Sequence, residues 1–198
     1  HPPFPIGGPG GAQRKRLERT FISFSGAKKV FDQVRFIDVT GKEQVRVDLV
    51  NRVPTGAPAS MLQNKKQRYY FSEAIDLPAG QVFISRLDLN IEGKMVEIPY
   101  KPMIRLVAPV DVDGKRYGVV VLNYLADNFI SHVRRTFSSE KSDGFLTNAD
   151  GYWLLGPTHD VEWAFMFGRA DRLQDLYPDA WEGVTDQPAQ VMTSQNIF

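Results

Sequence analysis

"MIRLVAPVDVDGKRYGVVVLNYL", residues 103–125, decides the fold. Asp113-Gly114 at its centre is the strongest two-residue hairpin signal, because a type I′ turn demands two successive residues with positive φ and Asp-Gly supplies them. The flanks are rich in β-branched residues, so the stretch reads as two antiparallel strands joined by a tight turn.

The same device returns on either side. In "VRFIDVTGKEQVRVDLV" (34–50), Val34 and Phe36, then Val45, Val47 and Leu49, alternate with polar residues around a turn at Thr40-Gly41. In "DGFLTNADGYWLLGP" (143–157) the turn falls at Asp150-Gly151. Between the first two hairpins lies "QRYYFSEAIDLPAGQVFISRLDLN" (67–90): a short amphipathic helix headed by Arg68, Tyr69, Tyr70 and Phe71, a loop enforced by Pro78 and Gly80, and a strand over 81–87. "KMVEIPYK" (94–101) is expected to hairpin with "RLVAPV" (105–110). Helices flank the whole. Over 12–33, Leu17, Phe21 and Phe24 share a face opposite Arg14, Lys15, Arg16 and Arg19; over 124–137, Leu125, Phe129, Val133 and Phe137 recur every four residues.

This order implies an α+β chain with antiparallel sheets of about five strands flanked by helices. The first module runs over 12–137 and a second opens at 143. The strand-turn-strand that starts each suggests two copies of one fold. The second, 143–198, lacks any counterpart of 103–125 and reads as truncated, so Trp153, Phe165 and Phe167 must find other cover or stay partly exposed. Trp153, Trp163, Tyr177 and Trp181 read as core residues. Residues 1–11, "HPPFPIGGPGG", are too rich in Pro and Gly for any regular element and read as a linker or disordered tail.

Composition narrows the function classes. With 42% hydrophobic residues among 198, the chain can bury a substantial core. Lys and Arg number 24 against 23 Asp and Glu, a net charge of +1 that excludes the basic surplus of a nucleic-acid binder. There is no cysteine, hence no disulfide or thiolate site, in keeping with an oxidising compartment. No apolar run is long enough to span a membrane. His1, His132 and His159 lack metal-ligand spacing, and no Gly-x-Ser-x-Gly or phosphate-cradling loop occurs. Asp111 and Asp113 serve a hairpin more readily than acid–base chemistry. Nothing argues for an enzyme, a cofactor or a metal.

One feature of 67–90 asks for a ligand. A core wants Tyr70 and Phe71 but not a guanidinium beside them, so Arg68 among aromatics suggests a pocket for an anion. The alternative is that the aromatics are core and Arg68 pairs with Asp88 or a surface acid. Arg105, inside the apolar "MIRLVAPV", has two readings too: it faces solvent, or it lines the same pocket.

Taken in order, Arg68-Tyr69-Tyr70-Phe71, "GQVFISRLDLN", "LVAPVDVDGKRYGVVVLNYL", "NADGYWLLGP" and "EWAFMF" resemble the extracytoplasmic double Cache domain, a tandem PAS-like sensor of bacterial histidine kinases, diguanylate cyclases and chemoreceptors. The resemblance implies a ligand pocket in the membrane-distal module, between the central sheet and the short helix. The amino-acid-binding members carry Arg-x-Trp-Tyr at that helix: Arg68 matches the Arg and Tyr70 stands at the Trp position. They carry Tyr-x-Asp on the next strand, where Asp88 matches and Arg86 replaces the Tyr. Asn123 replaces the Asp that ends the later strand and pairs with the ligand's amine. The implied function is an extracytoplasmic, periplasmic sensor binding an organic acid or amino acid through its carboxylate, homodimeric in the full receptor, and joined to the inner membrane only through flanking segments. A spacer or interaction module of the same fold without a ligand is the alternative.

Overall fold

The structure, a computed structural model, describes residues 10–139 and 144–184. Most of the 1–11 tail, the second module's first residue and its end beyond 184 lie outside the described residues. The chain divides into two compact units, residues 1–86 with 103–125 and residues 87–102 with 126–198.

In the first unit, α1 (Gly11–Lys28) stops where Lys29 turns left-handed, at φ 51°. The chain then extends, so Phe31–Gln33 begin β1 (Phe31–Asp38) instead of prolonging the helix. The turn into β2 (Glu43–Val50) is held by Asp38: Oδ1 accepts from Thr40 N (2.8 Å), Thr40 Oγ1 (2.6 Å) and Lys42 N (3.2 Å), while Gln44 Nε2 donates to Oδ2 (2.6 Å). Next come β3 (Val53–Gly56), α2 (Tyr69–Ile75) and β4 (Phe83–Ile84). Then follow β5 (Asp88–Leu89), β6 (Ile91–Glu92) and β7 (Met95–Val96), the last two a separate ribbon, and β8 (Pro102–Val112) and β9 (Lys115–Leu125) complete the main sheet. The predicted hairpin turn is present, with Asp113 at φ 51° and Gly114 at φ 74°.

The strands run β3-β2-β1-β9-β8-β4 with antiparallel neighbours, the mixed helix and antiparallel-sheet class expected. Period-two alternation gives the sheet two faces. Val34, Phe36, Val45 and Val47 pack with Phe21 beneath α1, while Ile37, Val107, Val119 and Val121 pack with Tyr70, Phe71 and Ala74 of α2. Two sequence expectations fail in detail. The segment 94–101 does not pair with 105–110; β7 turns back on β6 through Gly93 and Lys94, both at positive φ. Arg105 does not face solvent: it is 1% exposed, on the α2 face.

In the second unit, α3 (Asp127–Ser139) buries Ile130 and packs Val133 against Leu89, Leu154, Leu155 and Trp163. Val133 faces the core as the spacing predicts, but Leu125 belongs to β9 and Phe129 is exposed, with Ile130 buried beside it. A ribbon of β10 (Leu146–Thr147) and β11 (Trp153–Leu155) follows, then α4 (Leu173–Leu176) and α5 (Pro178–Val184). Trp153 is fully buried, with Phe145 at 5.5 Å and Tyr177 at 6.2 Å between ring centroids, both edge-on. Phe167 does stay exposed, against Tyr100 at 5.8 Å.

Gly118 marks a close approach of two strand backbones. Its φ is +151°, and a Cβ there would lie 2.0 Å from the Ile37 carbonyl oxygen. Gly118→Ala therefore adds a backbone collision to a conformation that itself costs about 1–3 kcal/mol for other residues. Urea denaturation should show a loss of at least that size.

Candidate functional site

Alternation on β1 sends Val34 and Phe36 towards α1, so Gln33, Arg35 and Ile37 face α2. Register then lines up rows across the α2 face. One is polar along its whole length: Asp48, Gln33, Asn123 and Arg105 sit opposite one another across β2, β1, β9 and β8. The next begins with two arginines, Arg46 opposite Arg35, and continues into Val121 and Val107.

Like charges placed directly opposite on adjacent strands repel. Glu43, fully buried, resolves this pair. Its Oε1 lies 3.6 Å from Arg35 Nε and its Oε2 3.9 Å from Arg46 Nη1, and Oε2 also accepts from Gln63 N at 2.9 Å. Arg46 Nε in turn donates to Asp48 Oδ2 at 3.0 Å.

Tyr70 sits over this surface, 1% exposed. Arg35 Nη1 donates to its hydroxyl at 3.2 Å, the Arg105 guanidinium carbon lies 5.1 Å from its ring centre and that of Arg68 5.8 Å away. One phenol thus meets three guanidiniums, two on its π face through the ring quadrupole. Arg68 immediately precedes α2 and is half-buried; among the described residues its guanidinium makes no hydrogen bond or ion pair. Asn123, fully buried, donates Nδ2 to Gln33 Oε1 at 3.1 Å, and its Oδ1 accepts no hydrogen bond among the described residues.

Of the six residues singled out from sequence, Arg68, Tyr70, Arg105 and Asn123 thus gather on the α2 face. Arg86 is exposed, with its guanidinium 4.8 Å from the Tyr69 ring, not that of Tyr70. Asp88 is buried on β5 and belongs to the second compact unit. Sequence reasoning missed Gln33, Arg35 and Glu43. The alternation that assigned Val34 and Phe36 to the core already put Gln33 and Arg35 on the opposite face, and a sheet with helices on both sides buries both faces.

The C-terminal end of α2 is held separately. The Arg116 fork from β9 donates to the carbonyls of Ile75 and Leu77 (the latter at 2.7 Å) and pairs with Asp111 across the hairpin. A cation there also suits the helix dipole. The hydrogen bond from Arg116 holds the Asp111 carboxyl below its usual range, and the same bond pushes the guanidinium up. An open groove runs along the exposed side of α2 past Val39, Lys66, Ser72 and Asp76 and does not include the polar row. Among the described residues no acid and histidine cluster could hold a metal, and no helix is long and apolar enough to cross a membrane.

Two outcomes follow. Glu43→Ala removes the carboxylate that two buried guanidiniums share and should cost about 3–5 kcal/mol, read by denaturant titration; an unchanged midpoint would show the network to be idle. Because the Asp111 carboxyl is lowered in the folded state, its contribution is complete above the ordinary aspartate range and disappears as pH falls through the folded value. Asp111→Asn should therefore flatten the acid limb of a stability–pH profile and leave the part above the ordinary range with the same slope.

Comparison with known proteins places this geometry. The family model for the bacterial histidine kinase sensor domain matches residues 6–198. No curated protein matches at the sequence level. Among solved structures, the extracellular domain of a protein assigned as a histidine kinase superposes with a TM-score of 0.79 at 24% identity, covering 94% of this chain and 67% of that one. The domain of a sensory box/GGDEF family protein from Vibrio parahaemolyticus gives 0.80 at 24% identity, covering 94% and 71%. The ligand-binding domain of the Pseudomonas aeruginosa amino acid chemoreceptor PctC, in complex with GABA, gives 0.56 at 16% identity, covering 86% and 65%. At these identities the likeness is one of fold.

Proposed function

The chain belongs to the bacterial histidine kinase sensor-domain family, whose domains are extracellular and non-catalytic, and we propose that its first unit binds a small carboxylate beneath α2. One observation carries this: Arg68, at the head of α2, offers a guanidinium with no hydrogen-bond or ion-pair partner among the described residues, over a buried phenol already gripped by Arg35 and Arg105. A guanidinium fork makes two parallel charge-assisted hydrogen bonds to a carboxylate, and Tyr70 supplies a flat wall with a polar tip. The binding of GABA by a chemoreceptor domain of related fold supports a carboxylate-bearing ligand.

Tyr70, Arg35, Arg105 and Asn123 are each no more than 1% exposed, so ligand access requires α2 to move off the sheet. Its two ends are held unequally. Arg116 clamps the C-terminal end, whereas Arg68 at the N-terminal end provides no side-chain cap. The helix pivots about the clamp and opens at Arg68, and a ligand that binds the open and closed arrangements with different affinity shifts their balance. In the full receptor this unit is the periplasmic, membrane-distal input module of an inner-membrane homodimer, and the shift passes to a cytoplasmic output domain.

The closed packing also favours a second reading, in which this is a spacer without a ligand. Binding to the folded state alone raises the melting temperature by mass action. A panel of small carboxylates that leaves it unmoved would support the spacer. On the ligand reading, Arg68→Ala should weaken carboxylate binding roughly 10- to 150-fold, the loss of about 1.5–3 kcal/mol of charge-assisted hydrogen bonding. Titration calorimetry measures it, and a melting temperature unchanged from the parent shows that the fold is intact.

A further inference from the structure

Two polar atoms on the α2 face stand out, one a donor and the other an acceptor. A guanidinium only donates, so in its contact with Arg35 the Tyr70 oxygen is the acceptor, and the phenol's own proton must go elsewhere. Tyr70 has no acceptor for it among the described residues. Asn123 presents the converse. Gln33 Oε1 accepts from Nδ2, and Oδ1 is a buried acceptor with no hydrogen-bond donor among the described residues. The two belong to one patch: Asn123 is the direct cross-strand partner of Arg105, whose guanidinium lies 5.1 Å from the Tyr70 ring centre.

A ligand that satisfies both must bring an acceptor to Tyr70 and a donor to Asn123. We propose that it is a hydroxy acid: its carboxylate accepts from Arg68 and the Tyr70 hydroxyl, and its hydroxyl donates to Asn123 Oδ1. This rests on the carboxylate reading above and adds the second functional group.

Charge decides between a hydroxyl and an ammonium as the donor. Asn123 is neutral and cannot compensate the desolvation of a cation. A neutral hydroxyl satisfies Oδ1 without that penalty. An acid with no donor leaves Oδ1 unsatisfied.

Matched triads test this by titration calorimetry on the unmodified chain: glycolate, glycine and acetate; lactate, alanine and propionate; malate, aspartate and succinate. The hydroxy member of at least one triad should bind roughly tenfold tighter than its unsubstituted partner, the worth of one buried hydrogen bond, and tighter than its amino partner. Asn123→Leu should bring the hydroxy-to-unsubstituted ratio near one, whereas Tyr70→Phe should weaken all members and preserve the ratio. Because the wild-type panel alone decides the matter, a variant that fails to fold does not shelter the idea. Binding of acids with no hydroxyl advantage, or with the amino members tightest, overturns the hydroxy-acid assignment and leaves the carboxylate site standing. No binding by any of the nine, to a chain with its native melting transition, overturns both.

Discussion

The α2 face depends on one buried carboxylate. Strand register sets Arg35 directly against Arg46, an arrangement that sheet geometry alone would reject, and Glu43 between them makes it tenable. The same residue reaches out of the sheet. Its backbone N donates to the Gln63 carbonyl while its side chain accepts from Gln63 N, both at 2.9 Å, so the segment leading into α2 is stitched to β2 at the charge that neutralises the arginines. Buried ion pairs are weak sources of net stability. What this one supplies is placement: Arg35 reaches the Tyr70 hydroxyl because Glu43 holds its other side.

The candidate site therefore has a sheet for its floor and a helix for its roof. The floor is the row of Gln33, Asn123 and Arg105, fixed by strand pairing. The roof is a seven-residue helix whose Tyr70, Phe71 and Ala74 contribute most of its contact with the sheet. So short a helix owes its existence to that contact and to its end restraints, because isolated helices of this length are not stable. Anything inserted between Tyr70 and the sheet would compete with the interactions that keep the helix formed.

Much of this was legible in the sequence, for identifiable reasons. Asp113-Gly114 names its own turn type, and the alternating Val34, Phe36, Val45 and Val47 name a face. Arg68 and Tyr70 could be picked out because a cation among aromatics is conspicuous within a few residues. The polar row was legible only in part. Asn123 and Arg105 were singled out, but Gln33 lies far from both in the chain, and only strand register brings the three side by side. Arg86 and Asp88 show the converse limit, since residues two apart on an extended segment fall in different compact units. The strand expected over 81–87 shrinks to Phe83–Ile84, and 94–101 folds on its own neighbours, because short polar segments carry too little pattern to fix a partner.

Gly118 bears on how such a domain can deform. With the Ile37 carbonyl where its side chain would be, β1 and β9 are seated against each other like a rivet through two plates. A one-residue slip of β9 along β1 would bring a residue that carries a Cβ, Val119 or Tyr117, to that carbonyl, so the register that sets Gln33 opposite Asn123 is locked from the other end of the same strand pair.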